Sequence, residues 1–224
     1  MEKHQNNWRF EKKFSFNSFD YYSFKKELIT QGYNEVFPMR RINNLYLDTH
    51  NYLALTENIE GHSSREKARI RWYGKIFDNS EKVLEYKIKK EDVGRKEFVR
   101  MGKLRFEGID KVDEFYEQIL TILKNNNRSL LNSKSFNALI PTLVNSYERE
   151  YYLNMNENIR LTIDSNIIYK SAQLLNEYME SKIVIELKAD SSVLLNNMFY
   201  KLQVSKYSKY VKGVLSTTHL KVDY

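Results

Sequence analysis

The stretch Lys67–Lys89, KARIRWYGKIFDNSEKVLEYKIK, alternates apolar and charged residues on either side of a turn. Lys67, Arg69 and Arg71 alternate with Ala68, Ile70 and Trp72, and Glu85, Lys87 and Lys89 alternate with Leu84, Tyr86 and Ile88. A period of two sends successive side chains to opposite faces of a strand. The segment therefore predicts a hairpin with strands over Ser64–Tyr73 and Lys82–Lys90. One face is apolar; the other holds cations and one carboxylate. Taken alone, this pattern has two readings. It is an antiparallel hairpin with its charges in water, as such sheets commonly allow, or it is the wall of a charged tunnel that grips phosphate.

Three more strands carry the same kind of face. Trp8–Phe16 aligns Arg9, Glu11 and Lys13, with Lys12 as an exception on the apolar side. Ile159–Ile168 aligns Arg160, Thr162 and Asp164, and Lys182–Lys188 aligns Val184, Glu186 and Lys188. Across the five faces nine cations (Arg9, Lys13, Lys67, Arg69, Arg71, Lys87, Lys89, Arg160, Lys188) stand against four carboxylates (Glu11, Glu85, Asp164, Glu186). Buried charge is costly unless it is paired or neutralised, so the cation excess asks for an anion. Arginine grips phosphate oxygens in a fork and lysine acts as a point charge. The carboxylates can pair with cations or hold a divalent metal through oxygen. On pattern alone, the closed charged tunnel and the half-solvated sheet both stay open.

Composition narrows the partners. The 224 residues fit one large domain or two small ones, and the net charge of +7 favours an anionic partner. The chain has no cysteine, which excludes a disulfide framework, a thiol nucleophile and a cysteine zinc site. His4, His50, His62 and His219 show no metal-ligand spacing. No apolar run approaches the roughly 20 residues that span a bilayer, and the polar start, MEKHQNNWRF, does not read as a signal peptide. The expected setting is soluble and cytoplasmic.

Further elements fill the chain. Asn17 or Ser18 caps a helix over Phe19–Thr30 that Gly32 ends. Ile42–Asp48 reads as a strand, Asp48–Leu55 as a short helical segment stopped at Glu60-Gly61, and Arg95–Arg100 as extended. Ile109–Asn125 is the clearest helix, with Ile109, Val112, Phe115, Tyr116, Ile119, Leu120 and Leu123 in one stripe. Asn125–Asn127 reads as a loop and Leu130–Ile140 as a short helix. Leu143–Leu153 reads as a strand, with Tyr147 and Tyr151 as packing residues beside Arg149. A helix over Val193–Leu202, a loop over Lys206–Lys212 and a last helix over Val214–Leu220 follow. No domain boundary is visible, so residues 1–224 read as one domain with strands that pair non-locally. Glu186 would find an ion-pair partner in Lys87 or Arg160.

Several short runs give these strands a family likeness. They are RFEKKF at Arg9–Phe14, LYLDT at Leu45–Thr49, KARIRWYG at Lys67–Gly74, LEYK at Leu84–Lys87, YER at Tyr147–Arg149, IRLTID at Ile159–Asp164, IELK at Ile185–Lys188 and SKY at Ser208–Tyr210. In this order they resemble the VTC domain, the polyphosphate-polymerase domain of the triphosphate tunnel metalloenzymes, whose wider kin are the CYTH enzymes. The resemblance implies an α+β fold: an antiparallel eight-stranded β-tunnel with flanking helices. It implies an enzyme that uses Mn2+ or Mg2+ to transfer the γ-phosphoryl group of ATP onto a growing polyphosphate chain. The phosphate ligands it implies are Lys13, Arg69, Arg71, Lys87, Arg160 and Lys209, with Ser208 beside them. Arg69, Arg71, Lys87, Arg160 and Lys209 would act in transfer, and Lys67 and Arg149 would line the nucleotide site as supports. Glu186 would hold the metal, with Glu11 near it.

One departure bears on the chemistry. CYTH enzymes open with ExExK, whereas Arg9 makes this RxExK, the VTC pattern. The exchange of a carboxylate for a cation weakens a two-metal hydrolase or cyclase reading and favours a longer polyanion. The alternatives are a tunnel triphosphatase and a non-catalytic polyphosphate binder. Nucleic acid is not an expected partner, because the aromatics alternate onto the apolar faces and form no stacking platform. The chain carries no membrane segment, so coupling to a membrane would fall to a partner protein.

Overall fold

Alternating strands of this kind must bury one face, and a computed structural model of the chain shows how they do so for residues 10–90, 93–125, 138–156, 158–189 and 205–220. Among these residues are nine strands: β1 Phe10–Asn17, β2 Tyr33–Asp48, β3 Arg65–Tyr73, β4 Glu81–Lys90, β5 Val93–Lys103, β6 Ile140–Asn154, β7 Ile159–Ser171, β8 Glu177–Met179 and β9 Lys182–Ala189. The α-helices among the described residues are α1 Tyr21–Thr30, α2 Leu53–Glu60, α3 Val112–Asn125 and α4 Lys209–Thr217. The fold is α+β. In hydrogen-bonded order the strands run β1-β9-β7-β6-β2-β3-β4-β5, and β8 pairs with β7 off that path. The pairs β1–β9, β2–β3, β3–β4, β4–β5, β7–β8 and β7–β9 are antiparallel. The eight strands on the path match the number that the family resemblance implies, and β8 is an addition.

The chain divides into two compact units. The first comprises Met1–Arg40, Tyr147–Ile167 and Glu180–Tyr207; the second comprises Arg41–Ser146, Ile168–Met179 and Ser208–Tyr224. In the first unit β9 lies between β1 and β7, with Phe14↔Ile185 and Ile163↔Ile185 in register. Phe14, Phe16, Leu161, Ile163, Ile185 and Leu187 turn one way and bury against Phe24 and Leu28 of α1. Each such side chain removed from water is worth roughly 1.5–3 kcal/mol. A polar clasp adds to this: the buried Glu150 carboxylate accepts from Lys25 Nζ at 2.7 Å, from Tyr152 Oη at 2.8 Å and from Tyr21 Oη. Burial pushes Glu150 up, but the Lys25 ammonium and the two hydroxyls hold it below the ordinary glutamate range.

In the second unit the hairpin of β3 and β4 pairs Lys67↔Lys87 and Arg69↔Glu85, as the alternation requires. Ala68, Ile70, Trp72, Leu84 and Tyr86 bury beneath α3, whose stripe of Val112, Phe115, Tyr116, Ile119 and Leu123 is buried with them. Phe106 stacks on Phe115 at 4.5 Å and meets the Trp72 ring edge-on at 5.7 Å. One cation sits on this apolar side. Lys82 is fully buried, with its ammonium 2.7 Å from Asp78 Oδ1, 3.0 Å from Ser80 Oγ and 5.1 Å from the Trp72 ring. It ties the turn to the strand it leads into.

The other face of the second unit receives α4. Tyr210 packs against Tyr46 with tilted rings 5.1 Å apart and donates to the buried Asp48 carboxylate at 2.5 Å. Asp48 also accepts from the amides of Thr49, Ala54 and Leu55, and so holds the start of α2. Tyr46 is the register partner of Arg69, which puts α4 on the charged side of β2. Gly213 permits the approach: a Cβ there would fall 2.4 Å from Leu143 and 2.5 Å from Tyr169.

Several expectations need correction. Lys206–Lys212 does not form a loop throughout; Lys209 begins α4, because Ser208 stands at its N-cap and accepts from the Val211 amide. The last helix therefore ends at Thr217, short of the expected Leu220. Ile140 opens β6 instead of closing a helix. β2 starts at Tyr33, not Ile42, and residues 34–40 are exposed on both faces, so no burial period marks them. The short helical segment lies at Leu53–Glu60, after Asp48 rather than from it. Trp8 and Arg9, residues 126–137 of the expected loop and short helix, and the expected helix over Val193–Leu202 lie outside the described residues.

Candidate functional site

The hairpin quoted first supplies the densest charge. Cross-strand partners share a face, so three register rows can be read directly. Lys67, Lys87 and Lys96 lie abreast on β3, β4 and β5. Tyr46, Arg69, Glu85 and Phe98 form the next row, and Asn44, Arg71, Val83 and Arg100 the one after. Lys67, Arg69, Arg71, Lys87, Lys96 and Arg100 thus meet a single carboxylate in these rows, Glu85. Like charges directly opposite one another are destabilising.

Glu85 is shared by both arginines. Arg69 Nε and Nη2 reach its Oε2 at 2.7 and 2.6 Å, and Arg71 Nη1 approaches Oε1 at 3.3 Å. Burial pushes the Glu85 carboxyl up, but Arg69 and Arg71, with Lys96 further off, hold it below the ordinary range. Arg71 Nε donates instead to Asn44 Oδ1 at 3.1 Å. The arginines are fixed by these contacts before any ligand arrives. Lys87 is exposed, and Lys67 is half-buried.

Ser208 and Lys209 stand at the head of α4. The Ser208 hydroxyl accepts from Asn58 Nδ2 at 3.0 Å as well as from the Val211 amide. Lys209 is the first residue of the helix. Ser208 therefore has a structural duty, which is to fix the helix start from which Lys209 projects.

The first unit carries a different balance. Glu11, Lys188 and Arg160 form one register row, and Lys13, Glu186 and Thr162 the next. Lys13 Nζ pairs with Glu11 at 3.0 Å; Lys188 Nζ contacts Glu186 and lies 3.7 Å from Glu11. The expected partner of Glu186 was Lys87 or Arg160. The partner is Lys188, two residues along the same strand and on the same face. Arg149 forks onto Asp164, with Nε and Nη2 at 2.5 and 2.7 Å, and its guanidinium lies 5.3 Å from the Tyr147 ring centre. Arg160 is exposed. Cations and carboxylates nearly match here, in contrast to the rows around Arg69.

Burial pushes Glu186 up, but Lys188, Lys13 and Arg149 outweigh it and hold the carboxyl down at about 2. A carboxyl held below its unfolded value contributes stability that is full above that value and lost as pH falls through the folded one. The melting temperature should therefore drop as the solution is acidified from roughly pH 5 towards pH 2. Glu186→Gln should flatten that drop. An identical slope in the variant would show that Glu186 is not held in this way.

Among the described residues no three carboxylate or histidine side chains gather as a metal cluster. Glu186 and Glu11 do offer hard oxygen donors, and Glu186 is kept ionised, which suits Mg2+ or Mn2+ bound through one or two carboxylates plus ligand phosphates. A cleft in the second unit, lined by Leu47, Asp48, Leu53, Glu57, Glu66 and Tyr86 among others, includes none of the predicted site residues. Sequence reading missed Glu150, Lys82, Lys96 and the Asn44–Asn145 pair. Only Lys96 carried a usable signal, since it continues the alternation of its neighbours along the Arg95–Arg100 strand.

Comparison with known proteins comes down to two findings. The VTC domain family model matches residues 8–218. Among solved structures, a candidate adenylyl cyclase from Hippeastrum with a dominant triphosphatase activity is 15% identical over 94% of this chain and 97% of its own, with a TM-score of 0.54. Candidate adenylate cyclases from Vibrio parahaemolyticus and Bacillus halodurans are 12% and 13% identical. They cover 95% and 96% of this chain and 100% and 92% of their own, at TM-scores of 0.48 and 0.44. No curated protein matches the chain. The first structural likeness, with the family match, gives the fold as that of the triphosphate tunnel proteins. No described helix is long and apolar enough to cross a membrane.

Proposed function

We propose a function on the premise that the chain belongs to the VTC domain family: it is a metal-dependent polyphosphate polymerase that moves the γ-phosphoryl group of ATP onto the end of a polyphosphate chain. The observation that carries this reading is the set of rows Lys67–Lys87–Lys96, Arg69–Glu85 and Arg71–Val83–Arg100, where one carboxylate faces six cations. Such rows ask for a polyanion of closely spaced charges, and inorganic phosphate chains have that form. Arg69, Arg71 and Lys87 are the proposed phosphate ligands in the second unit, with Lys67 beside them and Lys209 at the head of α4. Lys13 and Arg160 are the proposed ligands in the first unit, and Arg149 their support.

Phosphoryl transfer depends on positioning and charge neutralisation more than on covalent chemistry by the protein. A terminal phosphate oxygen of the acceptor chain attacks the γ-phosphorus, the bond to the β-bridging oxygen breaks, and ADP departs. The guanidinium groups of Arg69 and Arg71, already oriented by Glu85, stabilise the equatorial oxygens as charge spreads over them. The cations of Lys67 and Lys87 draw successive phosphates into line. Glu186, with Glu11, would hold the metal ion. When bound, that ion offsets charge on bridging phosphate oxygens. No histidine or thiol nucleophile is called for.

A triphosphatase is the second reading, and the carboxylates Glu11 and Glu186 beside Lys13 favour it, as does the Hippeastrum protein that shares the fold. Incubation with ATP and Mn2+, repeated with Mg2+, separates the two. Long chains resolved on a gel are the expected product. Release of free phosphate without chains would transfer the assignment to the hydrolase. Neither product, with tight polyphosphate binding, would leave a binding protein, located where a partner holds it.

A further inference from the structure

Asn44 and Asn145 are both fully buried on the charged side of β2 and β6, next to Arg71, and neither belongs to the site residues above. Their hydrogen bonds have a fixed direction. A guanidinium only donates, so the atom 3.1 Å from Arg71 Nε must be the Asn44 carbonyl oxygen. That orientation turns Asn44 Nδ2 towards Asn145 Oδ1, 2.8 Å away. Asn145 must answer with oxygen, and its own Nδ2 is left buried with no acceptor among the described residues. A buried donor left unmade costs about 1–3 kcal/mol. Such a group in a native fold calls for an explanation.

What the pair fixes is the second arginine. Arg69 forks onto Glu85 through Nε and Nη2. Arg71 reaches the same carboxylate by only one nitrogen, Nη1, at 3.3 Å. With its Nε committed to Asn44, Arg71 is kept from closing the same fork on Glu85. Asn145 locks the Asn44 amide with its oxygen towards Arg71, since a turned amide would set its oxygen against Asn145 Oδ1 and its nitrogen against the Arg71 Nε donor. We propose that Asn44 and Asn145 are positioning residues that hold Arg71 open for a phosphate group, at the expense of one unsatisfied buried amide. This rests on the reading that Arg71 grips a polyphosphate ligand.

The test separates affinity from stability. Replacing both partners of a buried hydrogen bond by apolar groups can be neutral or stabilising. The double variant Asn44→Val/Asn145→Val, with β-branched residues suited to strands, is expected to melt at or above the wild-type temperature. Its Kd for tripolyphosphate, measured by calorimetry, should rise at least tenfold. Asn145→Ala is the second variant. It frees the Asn44 amide to turn and exchanges one unsatisfied donor for another, so it should weaken tripolyphosphate binding with little change in melting. A merely structural pair would lower the melting temperature and leave Kd alone, and wild-type affinity in either folded variant would overturn the proposal. Failure of the wild-type protein to bind tripolyphosphate would sink the functional reading itself, and the positioning role with it.

Discussion

Replacing Arg69 with alanine is expected to reduce polyphosphate synthesis by about 10²–10³-fold, the usual loss when one oriented stabiliser of transition-state charge is removed. The fold should survive the change. Arg69 is partly exposed, and Glu85 keeps Arg71 as a partner once Arg69 is gone. Glu85 is therefore not stranded, and the apolar face under α3 is untouched. Circular dichroism and melting should match the wild type while the rate of chain growth from ATP collapses. If the folded variant made polyphosphate at the wild-type rate, the hairpin would not be the phosphate grip. Lys87→Met should give a smaller loss, because Lys87 is exposed and its charge is more screened by solvent.

Arg149→Met should act on the opposite axis, with a stability loss of about 3–5 kcal/mol at neutral pH. The Asp164 side chain is 1% exposed, and both nitrogens of the Arg149 fork that contact it would vanish. The loss of a two-point, charge-assisted contact to a buried carboxylate sets that size. The double variant Arg149→Met/Asp164→Leu should recover most of the loss, since an apolar pair of similar volume often equals or betters a buried ion pair. Urea unfolding at constant slope measures both. A single variant as stable as the wild type would mean that the pair is solvated in the folded protein. A double variant no better than the single would place the loss in packing against Tyr147.

The contrast between these two variants matches what the sequence could and could not disclose. Strand alternation fixed the faces of β1, β3, β4, β7 and β9, because period two is a local property that each residue reports for itself. Arg69, Arg71 and Glu85 share a face for that reason alone. The stripe of α3 was legible on the same grounds, at period 3.6. Partnership was not legible. Glu186 meets Lys188 on its own strand, and Lys82 enters the core through a turn that closes over it. The Arg71–Asn44–Asn145 chain joins residues 101 positions apart at its last link, and no periodicity marks an asparagine that belongs to such a chain. The first half of β2 also escaped, since residues 34–40 lack a buried face and contain Pro38, which reads as a breaker. α4 was placed too late because the helix-start signal at Ser208 was outweighed by the polar run KYSKYVK.

The pairing of β1 with β9 has a consequence for how the chain comes to be folded. Phe10 is in register with Ala189 and Phe14 with Ile185. On the ribosome β1 is made long before β9, so it waits with one edge unmatched while the strands between them are made. Contacts at such sequence separation form slowly, and exposed edges invite pairing with the wrong chain. The hairpins of β3, β4 and β5, by contrast, join neighbours in sequence and can assemble as they emerge. Lys12 interrupts the apolar side of β1, and charge of that kind is what protects a waiting edge. The arrival of β9, rather than the assembly of the β3–β5 hairpins, then sets when the first unit becomes native.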